Sequence, residues 1–63
     1  MTLGVVGLGL IGGSFTKAYK EAGHRVLGSD TDRTILGFTM LEGAVDAELT
    51  RENMKECDLL LIT

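Results

Sequence analysis

Hydrophobic and polar positions alternate between two periods along this 63-residue chain. Thr2–Val6 is short and apolar, ends in Val-Val and runs straight into glycines, the pattern of a buried strand. From Ile11 to Ala22 the apolar residues Ile11, Phe15, Ala18, Tyr19 and Ala22 recur at helical spacing. They predict an amphipathic helix that leaves Lys17, Lys20 and Glu21 to solvent and stops at Gly23. Arg25–Ser29 reads as a second strand that ends at Asp30. Thr31 or Asp32 then caps a second helix, whose apolar side holds Ile35, Leu36, Phe38 and Leu41 and which Gly43 closes. Gly37 inside that helix costs about 1 kcal/mol relative to alanine. Ala44–Asp46 is expected to be a very short strand, and Thr50 to cap a brief third helix at Arg51–Glu56. Leu59–Ile62 is a continuous apolar run of the kind found in strands covered on both faces. Such alternation predicts an α/β chain with a parallel sheet.

Five of the nine glycines fall between Gly4 and Gly13, and there is no proline. The segment Gly7-Leu8-Gly9-Leu10-Ile11-Gly12-Gly13-Ser14 has the spacing G-x-G-x-x-G. Alone, that spacing is weak evidence, but here it comes directly after a predicted strand and opens a predicted helix. An acid, Asp30, lies 18 residues beyond Gly12 at the end of the next strand. This context points to dinucleotide binding. Gly7 permits the tight turn, and Gly9 lets main-chain N–H groups approach a pyrophosphate. Gly12 lets the helix lie close to the sheet. The N–H groups from Leu8, Leu10, Ile11 and their neighbours, together with the helix dipole, favour an anion. Asp30 is suited to accept hydrogen bonds from the adenine-ribose hydroxyls. Its charge disfavours a 2′-phosphate, so NAD is the expected cofactor rather than NADP, with Arg33 near enough in sequence to soften that preference. A plain structural reading competes: the glycines only turn the chain and Asp30 only caps the segment after it.

The run Val6–Ser14 closely resembles the opening of prephenate and arogenate dehydrogenases of tyrosine biosynthesis. The resemblance continues through His24-Arg25-Val26-Leu27-Gly28 and Asp30, then Gly43-Ala44-Val45-Asp46, and ends with Cys57-Asp58-Leu59-Leu60-Leu61-Ile62. Gly12-Gly13-Ser14 is its specific element. It spans residues 1–63 but only the N-terminal portion of that family's cofactor domain, implying the first part of a Rossmann-type doubly wound parallel sheet. The implied activity is NAD-dependent oxidative decarboxylation of prephenate to 4-hydroxyphenylpyruvate, or the matching reaction of arogenate. The implied parent is a cytoplasmic homodimer. The family's catalytic histidine and substrate-binding arginines have no counterpart before Thr63, so no catalytic residue is assigned and the chain by itself is not expected to catalyse. The rivals are another NAD(P)-dependent reductase of the β-hydroxyacid type and a non-catalytic nucleotide-binding module.

Composition narrows the field. The hydrophobic fraction is 44% and the charged fraction 24%, which argues against disorder. A core this small seldom supplies more than about 3–5 kcal/mol, so the chain is expected to belong to something larger or to lean on a partner. The net charge of −3 argues against nucleic acid. All of that excess sits in residues 44–58, where five carboxylates face two bases; the stretch reads as a solvated surface. No base precedes the apolar run Leu3–Phe15 and glycines interrupt it, so neither an export signal nor a membrane span is expected. A metal site is not expected either. His24, the single histidine, precedes its strand and so lies away from the glycine turn. Cys57 has no second thiol and reads as a packed side chain.

Overall fold

The computed structural model of the chain describes residues 1–62, with Leu10, Ile11 and Gly12 described only as part of a helix. Expectations for Thr63 lie outside the described residues. The elements are β1 (Thr2–Val6), α1 (Leu10–Glu21), β2 (Arg25–Ser29), α2 (Arg33–Leu41), β3 (Ala47–Glu48) and β4 (Leu59–Ile62), with a 3₁₀ turn at Met54–Glu56 before β4. The four strands form one sheet in the order β3-β2-β1-β4, and every pairing is parallel. The chain is therefore α/β, and its strand order is that of the first part of a Rossmann-type sheet.

Register assigns side chains to faces, because Cα partners in a parallel ladder point the same way. Leu3 pairs with Val26 and Val5 with Gly28. Leu3, Val5 and Val26 are fully or almost fully buried. Val5 and Val26 join Leu8, Leu36 and Val45 in the core, with Tyr19 of α1 and Ile35 of α2 packed against it. Both helices thus cover this face. The opposite face carries Gly4, Leu27 and Leu60. A Cβ on Gly4 would come within 2.8 Å of Leu60 Cδ1 and 2.9 Å of Cys57 Sγ. The 49–57 segment therefore presses on β1 from that side.

The side of α1 that meets the sheet differs from the expected stripe. Thr16 is fully buried, whereas Phe15 is 44% exposed and Ala18 and Ala22 are exposed. The Thr16 hydroxyl donates to Gly13 O at 2.7 Å, so its polarity is satisfied within the helix and it packs as a small apolar group. Thr39 does the same on α2, donating to the carbonyls of Ile35 and Leu36. Phe15 lies outside and stacks on Tyr19 with ring centroids 6.3 Å apart. At the start of α2, Asp32 is the cap; its carboxylate accepts from Thr34 N and Ile35 N.

Three further expectations are corrected. The short strand is Ala47–Glu48 and not Ala44–Asp46. Ala44 and Val45 are buried in the connection, and pairing starts only after Asp46 N has bonded Val26 O. The third helix shrinks to Met54–Glu56. Thr50 does cap the segment as expected: its Oγ1 accepts from Asn53 N, Asn53 Oδ1 accepts from Thr50 N, and Met54 N bonds Thr50 O at 2.9 Å before the chain tightens to 3₁₀. Finally, β4 is not covered on both faces, for Leu59, Leu60 and Ile62 are exposed.

The acidic stretch is also less free than expected. Asp46 pairs with Lys20 at 2.7 Å, Glu48 with Arg33 at 2.8 Å and Glu56 with Arg25 at 2.8 Å. Lys17 meets Glu42 at 3.3 Å between α1 and α2. Asp46 also accepts from Val26 N at 2.7 Å. Burial works against its charge, but Lys20, the Val26 N–H and Arg25 outweigh it and hold the carboxyl below its ordinary pKa. Among the described residues no helix is long and apolar enough to cross a membrane.

Packing on the helix-covered face of the sheet is tested at Gly28. A Cβ there would lie 3.0 Å from Val45 Cγ2 and 3.1 Å from both methyls of Leu8. Both neighbours are buried. Gly28→Val is expected to cost about 1–3 kcal/mol through overpacking, read as a lower urea midpoint.

Candidate functional site

The carboxyl ends of β1 and β2 lie side by side, with Val6 opposite Ser29. Gly7 then leaves β1 at φ +90°, a conformation that disfavours any residue with a Cβ. Its N–H still bonds Ser29 O at 2.8 Å, so the ladder extends one step past the strand. Leu8 turns its side chain into the core, 2% exposed, where the missing Cβ of Gly28 leaves room. Gly9 is the residue before α1 and has no side chain with which to cap it. The helix closes its first i→i−4 bond from Gly13 N to Gly9 O at 2.8 Å.

Asp30 stands at the end of β2 and reaches back into this turn. Its Oδ2 accepts from Leu8 N at 2.7 Å, and its Oδ1 accepts from Asp32 N at 2.8 Å. These bonds, the one from Asp32 foremost and then that from Leu8, outweigh a small desolvation penalty. They hold the carboxyl below its ordinary pKa, so Asp30 is an anion at neutral pH. Each carboxylate oxygen has two lone pairs, so Asp30 retains capacity for hydroxyl donors while both bonds stay in place. The Leu8 N–H is committed to Asp30. Leu10, Ile11 and Gly12 begin α1, but what their amides and side chains face lies outside the described residues.

Two glycines behave differently here. A Cβ on Gly13 would sit 3.4 Å from Leu8 O, an ordinary contact. A Cβ on Gly9 would meet nothing within 4 Å. With φ at −62°, the backbone of Gly9 makes no demand for glycine either. The fold uses Gly7 and Gly28 sterically; at Gly9 no contact asks for glycine, and its one internal role is as the N-cap of α1, which glycine fills better than alanine.

The remaining candidates lie elsewhere. Arg33 is engaged with Glu48, which turns its charge toward β3. His24 Nδ1 is 3.2 Å from the Met1 amino group at the amino end of β2, away from the turn. Cys57 is half-buried. Burial first, then the charges of Glu56 and Asp58, raise its thiol pKa against the pull of Arg25, which favours an unreactive thiol. Among the described residues no three His, Cys, Asp or Glu side chains are grouped to hold a metal. β4 runs beside β1 with Ile62 opposite Val6, so its carboxyl end borders the turn from the other side. This border is where strand order reverses, the usual position of ligands in open parallel sheets.

Sequence reasoning located Asp30 and the glycines but missed the Leu8–Asp30 bond, which joins residues 22 apart. It also missed Leu8 as an anchor; the signal was a leucine between two glycines with another glycine, Gly28, on the neighbouring strand. No family model, curated protein or solved structure matches the chain.

The lowered pKa fixes the sign of a pH effect. Asp30 contributes stability that is fully present above the unfolded carboxyl value near 3.8 and is lost as pH falls through its lower folded value. Thermal melts between pH 7 and pH 2 are expected to show that acid limb in the wild type. Asp30→Asn should make it shallower, leaving the part contributed by Asp46, whose carboxyl pKa is also lowered.

Proposed function

We propose that the Gly7–Gly13 turn and Asp30 hold the adenosine-diphosphate half of NAD, and that the chain is the N-terminal portion of the cofactor domain of a prephenate-dehydrogenase-like oxidoreductase. The observation that carries the first part is Gly9. It sits at the mouth of a helix, with open space where a side chain would be, and neither packing nor backbone conformation calls for glycine there. A pyrophosphate seated against the first turn of α1 supplies the missing reason, because a side chain at Gly9 would stand in its way.

The neighbouring groups support the same reading. Asp30 is ionised, lies at the end of the adjacent strand and has lone pairs left for the two ribose hydroxyls. Arg33 is paired through Nη1 with Glu48, which draws its charge toward β3 and so supports NAD over NADP. Bound NAD supplies a hydride acceptor; this chain's residues bind and orient its adenosine end. The assignment to the prephenate or arogenate dehydrogenases, rather than to β-hydroxyacid-type reductases, rests on the Gly12-Gly13-Ser14 ending of the turn.

Two substitutions test the reading. Gly9→Ala is expected to cost no more than about 1 kcal/mol, since the new methyl meets nothing and the change falls only on the N-cap of α1. NAD affinity by calorimetry should fall roughly tenfold or more. Unchanged affinity would remove the pyrophosphate from this turn. Asp30→Ala should weaken NAD far more than NADP, because it removes both the ribose acceptor and the charge that repels a 2′-phosphate. The ratio of the two affinities is the readout, since the lost bond to Leu8 affects both alike.

A further inference from the structure

The strand β3 is only two residues long, yet it brings a carboxylate beside the carboxyl end of β2. Glu48 is the register partner of Gly28, two residues before Asp30. Partners in a parallel ladder share a face, so Glu48 projects on the helix-covered side, with α2. The main chain around it is held on both sides. Leu49 N donates to Gly28 O at 2.7 Å, and Asn53 Nδ2 donates to Glu48 O at 2.9 Å. From that base Glu48 Oε2 accepts from Arg33 Nη1 at 2.8 Å.

Arg33 stands where a second nucleotide would need it. It opens α2 directly after Asp32, whose N–H Asp30 holds, and it is the single base between Asp30 and Glu48. In dinucleotide-binding sheets an arginine near the acid that ends the second strand accommodates a 2′-phosphate. The Arg33 side chain is 73% exposed, so packing does not fix its direction; the Glu48 carboxylate does.

We propose that Glu48 is a positioning residue for nucleotide selectivity: it holds the Arg33 guanidinium toward β3 and so withholds it from a 2′-phosphate beside Asp30. This rests on the nucleotide reading of the turn. Asp30 disfavours the 2′-phosphate by its own charge, and Glu48 ties up the cation that would compensate for that charge. Preference for NAD is then set by two carboxylates from different strands. Glu48 has one competing role, since a charge on a short edge strand discourages pairing with another chain. That role involves neither nucleotide nor Arg33, which makes the two separable.

Calorimetric titration of the 63-residue chain with NAD and with NADP tests the proposal. Glu48→Gln removes the charge and keeps the main-chain bonds of β3. It is expected to raise NADP affinity about three- to fivefold, the size of effect an exposed ion pair allows, while NAD affinity stays within about twofold. Arg33→Ala alone should leave both affinities within about twofold. In the Glu48→Gln background it should abolish the gain for NADP, since Glu48 acts through Arg33. A ratio of affinities unmoved by Glu48→Gln overturns the proposal, and so does a gain that survives Arg33→Ala. In both cases NAD bound as in the wild type leaves the reading of the turn standing. A wild-type chain that takes up neither nucleotide overturns that reading and this proposal with it.

Discussion

The bond from Leu8 N–H to the Asp30 carboxylate is the constraint on which the architecture of the site depends. The chain must leave β1, reverse and enter α1 within three residues, and nothing in a run of glycines specifies where that turn sits. Leu8 specifies it twice. Its side chain drops into the space above Gly28, and its amide is held at 2.7 Å by a carboxylate anchored at the end of β2. The same carboxylate accepts from Asp32 N, and Asp32 caps α2. One ionised group therefore fixes the entry to both helices that cover the sheet, and it lies at the rim where a ligand would be received. On the proposed reading, nucleotide recognition and local stability would be linked at this atom pair.

Much of the fold was legible because its signals are local. A short apolar run before glycines, a capping aspartate and glycines at helix ends act over a few residues, and β1, β2, α2 and β4 appear where those signals put them. The errors arose where a distant partner decided the outcome. Ala44–Asp46 has strand-like composition, yet Ala44 and Val45 are drawn into the core beneath the helices, so pairing begins at Ala47. The 51–56 segment starts as expected at the Thr50 cap, yet it tightens to a 3₁₀ turn at Met54–Glu56 and stops at Cys57, which turns extended toward β4. On α1 the misreading was chemical: threonine counts as polar in a pattern, but Thr16 satisfies its hydroxyl on Gly13 O and is buried in place of Phe15. The site obeyed the same rule. Its residue types and spacing were readable, but the bond that locks it spans 22 positions and the chain gives no local sign of it.

The carboxylates divide by task in a way net charge conceals. Asp46, Glu48 and Glu56 each meet a base from β2, α1 or α2, so the acidic stretch ties the periphery to the sheet. Exposed pairs of this kind each contribute little, typically below about 1 kcal/mol. Their larger effect is on the charge left over. The Arg33 guanidinium is directed toward Glu48 on β3, while Asp30 is held ionised by the N–H groups of Asp32 and Leu8.

Glycine usage gives the last step. Gly4 and Gly28 are explained by what a Cβ would strike, and Gly7 by its backbone conformation. Gly9 and Gly37 are explained by neither, since each opens onto space; Gly37 is costly within its helix, and Gly9 serves only as the N-cap of α1. They share nothing else: one lies at the mouth of a helix beside an anion-tolerant turn, the other at the midpoint of an uncharged helical stripe. A residue that is costly or idle within its own fold but leaves room at the surface is best accounted for by what occupies that room. For Gly9 the neighbouring charged group is the Asp30 carboxylate, which the Leu8 amide holds at the rim of the same turn, and it is on that pair that the proposed nucleotide reading rests.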